Sequence, residues 1–432
     1  MWRKEQVAGL RSIFAGVTGG GGRPFYGWAV VAVATVAAFC SGPGQSFVFS
    51  VFVDPILADT GLSRVYLSTL YAFGTAVSAA MVVLVARLAD RFGTRLMLAV
   101  VALALGIACF GMSFASGPLA LFLGFAALRA LGQGSLPLTA TMLASQWFVK
   151  RRGRAVAIVV LGLAASNALL PPVAQALISS VGWRGAYVGL GLMVWVLLVP
   201  TSILVVRNRP EDLGLHPDGA AVPVEEPGEA DAGERRGFWR VVASPDFWAL
   251  AVPLAAVPFV VTALVFHQIS ILSDGGLTPG AAAGVFVAFA AASAGASALS
   301  GALAERIGPR GILMVSLALL FAAVVDLQFV SALPTAVAYS VLLGAAAGMQ
   351  GVAAGMIWAH YYGRAGLGRV QGPATMVMIS AAALAPLPLA ALRQLSGDYA
   401  LGLLVMAAIP VACAVMTRFF DPERARQDAQ TA

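Results

Sequence analysis

Long apolar stretches, separated by short polar segments, run along almost the whole chain. Twelve of them are long enough to cross a bilayer as helices, which takes about 20 mostly apolar residues each. They cover residues 27–52, 65–86, 96–116, 118–146, 155–180 and 183–206 in the first half, and 246–272, 279–303, 310–330, 333–360, 369–392 and 399–419 in the second. The alternation of a membrane β-barrel is absent, so the pattern predicts an all-α membrane protein with twelve transmembrane helices.

Composition agrees with a membrane environment and marks one polar interruption. Apolar residues make up 59% of the chain and charged residues 11%, whereas soluble domains have roughly 45–50% and about 25%. The interruption lies at 207–244, where acidic residues crowd 223–233 with almost no apolar ones. Such a composition is typical of a flexible tether. We therefore expect an N-terminal lobe at 1–206, a linker at 207–244 and a C-terminal lobe at 245–432.

The two halves repeat each other. The charged turn at 88–95, Leu-Ala-Asp-Arg-Phe-Gly-Thr-Arg, recurs 215 residues later at 303–310 as Leu-Ala-Glu-Arg-Ile-Gly-Pro-Arg. The same offset relates Asp59 to Asp274 and Pro43 to Pro258. One offset that holds along both halves predicts two pseudo-symmetric lobes of six helices each.

Lysine and arginine set the expected orientation. If the N-terminus is inside, 23 of the 27 Lys and Arg residues fall in inner segments. This bias predicts that both termini and the linker are cytoplasmic. The net charge of +7 then follows from topology, and we expect a lipid bilayer and no nucleic acid as partner.

Helix-breaking residues interrupt the first predicted helix. Gly42, Pro43 and Gly44 stand where a plain membrane helix has Leu and Val, and the repeat partner of Pro43 in the seventh helix is Pro258. Matching interruptions in two repeated halves point to a central binding site. The alternative is that Gly and Pro are simply more frequent in membrane helices.

Arg129 is the most unusual residue inside an apolar stretch. It lies about 11 residues from the start of the fourth helix, which at roughly 1.5 Å per residue places it near the bilayer midplane. A charge there costs roughly 2.5–3.5 kcal/mol, and the first half has no carboxylate at that depth. Arg129 must therefore face backbone carbonyls, cavity water, a carboxylate from elsewhere or an anionic ligand. Gln133 follows four residues later, on the same helix face.

Other polar residues inside the apolar stretches complete the candidate substrate-binding set: Gln45, Asn167, His267 and Gln350. His267 is either hydrogen-bonded to a neighbour or part of a proton relay near neutral pH. The three His and three Cys residues are scattered over separate helices without ligand spacing, and no catalytic triad or phosphate loop occurs. We expect no enzyme activity, no metal site and no cofactor.

Two motifs carry a resemblance to a known family. The stretch 86–98, Ala-Arg-Leu-Ala-Asp-Arg-Phe-Gly-Thr-Arg-Leu-Met-Leu, matches the signature turn of the major facilitator superfamily except at its first position, where the family has Gly. The stretch 129–134, Arg-Ala-Leu-Gly-Gln-Gly, resembles the helix 4 signature of the same superfamily. With the twelve-helix, two-lobe layout, the resemblance covers nearly the whole chain.

Further segments are similar to bacterial members of the monocarboxylate and oxalate/formate transporter group. They are 25–28, 182–184, 209–215, 266–267, 362–364 and 368–369. Better-known members of that group carry a cationic residue in helix 8 or helix 11. Here helix 8 has none and helix 11 has only Arg393, at its outer end, which leaves Arg129 as the expected anion anchor.

The resemblance implies a secondary active transporter in the bacterial inner membrane. Its two lobes would rock about a midplane site, and its expected substrates are small organic anions such as monocarboxylates, coupled to protons or to anion exchange. The alternatives are an exporter of hydrophobic or aromatic compounds and a membrane sensor that transports nothing. We expect the monomer to be the working unit.

The resemblance also assigns gating to the two repeated turns. The residues concerned are Asp90, Arg91, Arg95, Glu305, Arg306 and Arg310. Asp90 would end the second helix against the positive N-terminal end of a second-half helix, while Arg91 and Arg95 would bridge nearby acids. The expected effect of Asp90→Asn is a shift toward the inward-open state.

Overall fold

The N-terminal lobe is a bundle of six helices. The computed structural model describes residues 25–149, 151–220, 243–362 and 368–419. Helix α1 has three segments, Gly27–Cys40, Gly42–Gly44 and Ser46–Ser50, followed by a short outer helix, Val53–Thr60. Then come α2 (Arg64–Phe92), α3 (Thr94–Ser113), α4 (Pro118–Trp147), and α5 and α6, the parts of Arg152–Leu204 before and after Gly182.

The C-terminal lobe repeats this arrangement. It contains α7 (Pro245–Asp274), α8 and α9 (the parts of Pro279–Leu327 before and after Gly308), and α10 (Leu333–Tyr362). The last two are α11, in segments Gly368–Leu384 and Pro386–Ser396, and α12 (Ala400–Phe419). The described residues contain no strand. The predicted all-α class with twelve helices in two lobes is confirmed.

Ten helices of the described part are long and apolar enough to cross a membrane. One of these ten is the continuous stretch 154–204, which contains both α5 and α6. Helix α2 is not among the ten. The side of the molecule that carries residues 205–220 is called the linker side below, and the opposite side the far side.

The repeat extends to the backbone of the turns. Glycines with positive φ occur in pairs 215 residues apart: Gly61 and Gly276, Gly93 and Gly308, Gly182 and Gly397. Gly93 (φ 87°, ψ 148°) separates α2 from α3, and Gly308 (φ 68°, ψ 171°) separates α8 from α9. Because residues with a side chain rarely adopt these backbone angles, glycine at both positions allows the same sharp turn. The repeated sequence therefore encodes a repeated turn.

Small residues let neighbouring helices approach closely, as is typical of membrane bundles. A Cβ added to Gly344 on α10 would lie 2.2 Å from the Phe289 carbonyl oxygen of α8. A Cβ added to Gly348 would likewise lie 2.2 Å from the Ser293 carbonyl oxygen. In the N-terminal lobe, a Cβ on Gly162 of α5 would lie 2.2 Å from the Thr35 carbonyl oxygen of α1. These crossings hold each lobe together as one packed body.

The predicted linker begins as an ordered segment of the N-terminal lobe. Trp147 Nε1 donates to the Arg207 carbonyl at 3.0 Å, and the Asp218 carboxylate accepts from the backbone N–H groups of Val149 and Arg151, both at 3.0 Å. Residues 207–220 thus pack on the lobe that precedes them. The acidic stretch 223–233, expected to be a flexible tether, lies outside the described residues.

Candidate functional site

A sharp turn interrupts α1 in the middle of the N-terminal lobe. Residues Gly42–Gly44 form a single 3₁₀ turn, after which Gln45 is extended (φ −85°, ψ 145°) before the helix resumes at Ser46. The whole segment is buried. A Cβ added to Gly44 would lie 2.2 Å from the Leu128 carbonyl oxygen and 2.8 Å from Gly132 Cα, so this turn lies directly against α4.

Opposite that turn, α4 widens into a π-helical turn over Arg129–Ser135. Ser135 Oγ donates to the Ala130 carbonyl, five residues earlier, at 2.7 Å. Pro137 follows two residues later and lacks the N–H that would bond to the Gln133 carbonyl. Insertions of this kind are frequent at functional sites, and here the insertion begins at the membrane-embedded arginine.

The Arg129 side chain is 2% exposed and bonds to two other helices. Its Nη1 donates to the Gly44 carbonyl at 3.0 Å and to Ser46 Oγ at 3.2 Å, both at the α1 break. Its Nε donates to Thr75 Oγ1 of α2 at 3.0 Å, and its guanidinium carbon lies 4.7 Å from the centre of the Tyr71 ring. Arg129 therefore joins α1, α2 and α4.

All of these partners are uncharged. Within the described residues, Arg129 makes no ion pair with a carboxylate. Carbonyl, hydroxyl and aromatic groups stabilise the guanidinium by hydrogen bonds and by the cation–π interaction, but they leave its positive charge uncompensated. Of the four options left open by the sequence, backbone carbonyl contact is observed, with hydroxyls and a ring in addition.

Two other predicted substrate-binding residues lie at the same break. Gln45 Nε2 donates to Ser41 Oγ at 3.3 Å. Gln133 is half-buried, its backbone nitrogen would lie 2.7 Å from a Cβ on Gly44, and its Oε1 has no hydrogen-bond partner among the described residues. Together with Arg129, they place polar groups around the α1 break, although substrate binding by them stays a prediction.

Asn167 lies apart from this group, in a cleft of about 340 Å³ between α5 and α8. Its Oδ1 is buried without a hydrogen-bond partner in the described part of the chain. Across the cleft, α8 contributes Phe289, Ser293 and Ser297. Asn167 therefore faces the boundary between the lobes, and substrate binding by it stays a prediction.

His267 and Gln350 lie within the C-terminal lobe. His267 is fully buried, with Nε2 3.1 Å from the Pro386 carbonyl oxygen and Nδ1 3.4 Å from the Tyr399 hydroxyl. Gln350 Nε2 donates to the Leu254 carbonyl at 3.2 Å. Both contacts join helices of one lobe. His267 is therefore hydrogen-bonded to its neighbours, while its role in substrate binding or in a proton relay stays a prediction.

The second predicted helix interruption, at Pro258, is wrong. Helix α7 runs without a break from Pro245 to Asp274 through both Pro253 and Pro258. A lone proline removes one N–H donor, whereas at the α1 break Pro43 stands between two glycines that give the chain freedom to leave the helix. Within α11, the residue before Pro386, Ala385, keeps helical backbone angles (φ −54°, ψ −40°), so this proline does not open a break like that of α1 either.

The predicted gating residues differ in what the structure describes. The side chains of Asp90 and Glu305 lie outside the described residues, and Arg91 and Arg306 are exposed on the linker side. Arg95 Nη2 donates to the Ile203 carbonyl at 2.6 Å, at the end of α6, and Arg310 Nε donates to the Thr417 carbonyl at 2.8 Å, at the end of α12.

Arg95 therefore contacts a helix end where an acid was expected. Each of these two arginines meets the negative C-terminal end of a helix in its own lobe. The pair is related by the 215-residue repeat, so the contact is made twice. Gating by the repeated turns stays a prediction.

Aromatic residues join the two lobes on the far side of the α1 break. Phe47 of α1 lies 5.4 Å from Phe286 and 5.0 Å from Phe289 of α8, measured between ring centres. Phe266 of α7 lies 5.3 Å from Phe49 and 4.8 Å from Tyr71. This aromatic layer closes the space between the lobes above Arg129.

A polar contact between the lobes lies further out and was not predicted from the sequence. Asp54 pairs with Arg64 at 2.5 Å within the N-terminal lobe. Ser270 of α7 donates to Asp54 at 2.7 Å and accepts from Arg64 Nη1 at 2.7 Å. We call these three residues the far-side clasp. The sequence signal for its ion pair was the opposite charges of Asp54 and Arg64 on either side of one tight turn.

Two further ion pairs each involve one of two aspartates related by the repeat. Arg184 pairs with Asp59, and Arg393 pairs with Asp274, the repeat partner of Asp59. Each arginine also lies 4.2 Å from an aromatic ring centre, Trp183 and Tyr399 respectively. Each pair holds helices of a single lobe together on the far side, so Arg393 is engaged there and not at the centre.

A second cleft, of about 350 Å³, separates α2 from α11. Its walls are Ala72, Phe73, Thr75 and Ala76 on one helix and Ile379, Ser380, Ala383, Leu384 and Leu387 on the other. This cleft and the α5–α8 cleft both lie at the boundary between the lobes. Thr75, which also bonds to Arg129, belongs to this boundary between the lobes.

A helical membrane protein with two repeated lobes, a broken helix and a buried cation beside the break has the construction of a transporter. The chain belongs to the Major Facilitator Superfamily, whose sequence profile matches residues 34–325. It is therefore a multi-pass membrane transporter and not an enzyme.

Relatives within the superfamily are moderately similar. Mouse monocarboxylate transporter 11 is 29% identical over 336 residues, covering 74% of this chain and 71% of the mouse protein. Human monocarboxylate transporter 11 is 32% identical over 125 residues, 29% of this chain and 26% of the human protein. A probable sulfoacetate transporter, SauU of Cupriavidus necator, is 31% identical over 152 residues, 34% of this chain and 35% of that protein.

Solved structures share the fold. A bacterial homologue of the human lysosomal transporter Spinster, in an inward-facing and unoccupied conformation, superposes with a TM-score of 0.71. The superposition covers 91% of this chain and 96% of that one at 18% sequence identity. This likeness supports the two-lobe fold.

Proposed function

We propose that the protein is a secondary active transporter for small organic anions such as monocarboxylates, with Arg129 as the anion anchor. The observation that carries the proposal is the charge of Arg129, which has no carboxylate partner among the described residues. A guanidinium buried among neutral partners attracts an anion more strongly than one already paired with a carboxylate, because no existing ion pair has to be broken. An anion reaching the α1 break would supply the missing negative charge.

The names of the relatives support the same substrate class. They are monocarboxylate transporters and a probable sulfoacetate transporter, and their named substrates are small organic acids that carry negative charge near neutral pH. Their alignments are about 30% identical. Transport is, in this proposal, coupled to protons or to anion exchange.

Transport would proceed by rocking of the lobes about the central site. The far-side clasp and the aromatic layer hold the lobes together on the far side, so we assign the present structure to the state closed there. By the distribution of lysine and arginine, the linker side is the cytoplasm, and both termini lie there. We further propose the bacterial inner membrane as its location and the monomer as its working unit.

A second candidate is export of hydrophobic or aromatic compounds. It is favoured by the aromatic layer, since Phe47 contacts Phe286 and Phe289, and Phe49 contacts Phe266, where the lobes join. Such compounds would stack on rings and require no cation. Their transport would therefore be indifferent to the charge of Arg129.

Counterflow in liposomes tests the proposal. Purified protein is reconstituted, loaded with unlabelled acid and assayed with labelled acetate, lactate, pyruvate and sulfoacetate. We expect saturable counterflow of at least one acid, lost in Arg129→Ala and retained in Arg154→Ala, which removes an exposed arginine of α5. Absence of flux for every acid, or equal flux in the wild type and Arg129→Ala, would overturn the anion proposal.

A further inference from the structure

Tyr71 contacts both the buried arginine and the opposite lobe. Its side chain is 1% exposed, on α2, one helical turn before Thr75. The ring lies under the Arg129 guanidinium and, 4.8 Å away, meets Phe266 of α7 edge to face. One side chain therefore connects the central cation to the aromatic layer that joins the lobes.

The Tyr71 hydroxyl ties this side chain to the α1 break. It lies 2.7 Å from Ser46 Oγ, the same atom that accepts from Arg129 Nη1. The Tyr71 ring also stacks on Phe49, three residues beyond Ser46, with ring centres 4.8 Å apart. Phe49 in turn contacts Phe266. Arg129, Ser46, Tyr71 and Phe266 thus form a continuous chain of contacts from the centre to the other lobe.

We propose that Tyr71 is a positioning residue that transmits the state of Arg129 to the closure of the far side. With Arg129 bonded to Gly44 and Ser46, Tyr71 is held against Phe266 and the far side stays closed. An anion that draws the guanidinium away from the α1 break frees Tyr71, weakens its contact with Phe266 and lets the lobes separate. The inference rests on the proposed anion site and adds its link to the conformational change.

Packing alone would explain a buried tyrosine, and Tyr187 illustrates that case. It is fully buried in the same lobe, stacks on Phe52 at 4.1 Å, and its hydroxyl has no hydrogen-bond partner among the described residues. Its ring contacts in the described structure are with Phe52 and Trp183, both in the N-terminal lobe. Tyr187 is therefore the matched control for loss of a buried tyrosine hydroxyl.

A distance measurement across the far side reports the proposed link without any ligand. Ser116 and Ser331 are exposed on far-side loops, one in each lobe, and are repeat partners 215 residues apart. The native residues Cys40, Cys109 and Cys413 are buried, so spin labels attach selectively at Ser116→Cys and Ser331→Cys. Double electron–electron resonance then gives the populations of the closed and open far side in reconstituted protein.

The test is a double-mutant cycle between Arg129 and Tyr71. In the wild-type background, we expect Arg129→Gln to raise the population with an open far side about threefold or more. In the Tyr71→Leu background, we expect the same substitution to change that population by less than about 1.5-fold. Tyr71→Phe, which keeps the ring and loses the Ser46 contact, reduces the effect partly, while Tyr187→Phe leaves it intact. Arg129→Lys, which keeps the charge, provides a second variant should Arg129→Gln fail to fold.

Equal effects of Arg129 substitution in the wild-type, Tyr71→Phe and Tyr71→Leu backgrounds would overturn the proposal, as would no effect in any of them. The same samples are then titrated with sulfoacetate and lactate. A cycle that shows coupling while neither acid changes the distances nor exchanges in counterflow would contradict the anion site and leave the Tyr71 link supported. The two failures are therefore distinguishable.

Discussion

Arg129 keeps its charge in the membrane interior because neutral dipoles replace water around it. Burial of a charge at the bilayer centre costs roughly 2.5–3.5 kcal/mol, and hydrogen bonds to a charged group contribute about 1.5–3 kcal/mol each. Three such bonds, to Gly44, Ser46 and Thr75, are sufficient to offset that cost. The guanidinium is thus stabilised without an ion pair among the described residues, as the proposed anion site requires.

The bond from Arg129 to Thr75 is tested by a matched pair of substitutions on α2. Thr75 and Thr69 each donate to the carbonyl four residues earlier, but of the two only Thr75 accepts from Arg129 among the described residues. Thr75→Val leaves Nε of the buried guanidinium without its acceptor, so we expect it to lower the free energy of unfolding by about 1–3 kcal/mol more than Thr69→Val. Denaturant unfolding in detergent provides the measurement, and equal losses would contradict the bond.

That Arg129 lies within the fourth helix could be predicted from the sequence, whereas its partners could not. The long apolar stretch around it is sufficient to predict the helix. Tyr71 and Thr75 become neighbours of Arg129 only through the rotation and register of α2 against α4, which no local pattern encodes. For the same reason His267, conspicuous in the sequence, proves to bond within its own lobe to Pro386 and Tyr399.

At the scale of elements, the site depends on two irregular helices that face each other. The 3₁₀ turn of α1 and the π-helical turn of α4 meet where Gly44 and Gly132 allow the backbones to approach. The break in α1 follows from a proline between two glycines, while Pro253 and Pro258 leave α7 continuous. Proline alone is therefore a weaker sign of a broken membrane helix than its combination with glycine.

Gly44→Ala tests this close approach. Its added Cβ would lie 2.2 Å from the Leu128 carbonyl oxygen, which is backbone and has little freedom to move, whereas a Cβ on Gly111 of α3 meets nothing within 4 Å. Overpacking of this kind costs typically 1–3 kcal/mol. We expect Gly44→Ala to destabilise the protein by that amount and to impair counterflow. We expect Gly111→Ala to be neutral or slightly stabilising. Similar unfolding curves and flux for the two variants would show that α1 and α4 are not in tight contact.

For the whole molecule, the repeat explains why the two-lobe architecture could be predicted. The 215-residue offset in the sequence reappears in the paired glycine turns and in Asp59 and Asp274, each of which forms an ion pair, although their arginine partners are not related by the offset. Contacts between the lobes do not follow the repeat: the far-side clasp joins Asp54 and Arg64 to Ser270 alone. Such contacts depend on the conformational state, and a sequence pattern shared by both halves carries no information on them.

The clasp predicts the effect of Asp54→Asn. This change removes the charge that holds Arg64 and Ser270 together, so we expect the open far-side population to rise about fivefold, which corresponds to about 1 kcal/mol. The measurement is the distance between labels at Ser116→Cys and Ser331→Cys. Asp59→Asn is the control, because Asp59 pairs with Arg184 in its own lobe; equal shifts in both variants would rule out a specific role for the clasp.

Binding of an acid against its uncharged analogue tests the role of Arg129 most directly. Purified wild type and Arg129→Gln are titrated by calorimetry with lactate and pyruvate, each beside its uncharged carboxamide. A buried charge pair is worth about 2 kcal/mol or more when one partner is removed, so we predict that the wild type binds at least one acid about tenfold or more tighter than its amide, and that Arg129→Gln abolishes the difference. Equal affinity of the wild type for acid and amide, or a preference that survives in Arg129→Gln, would contradict Arg129 as the anion anchor.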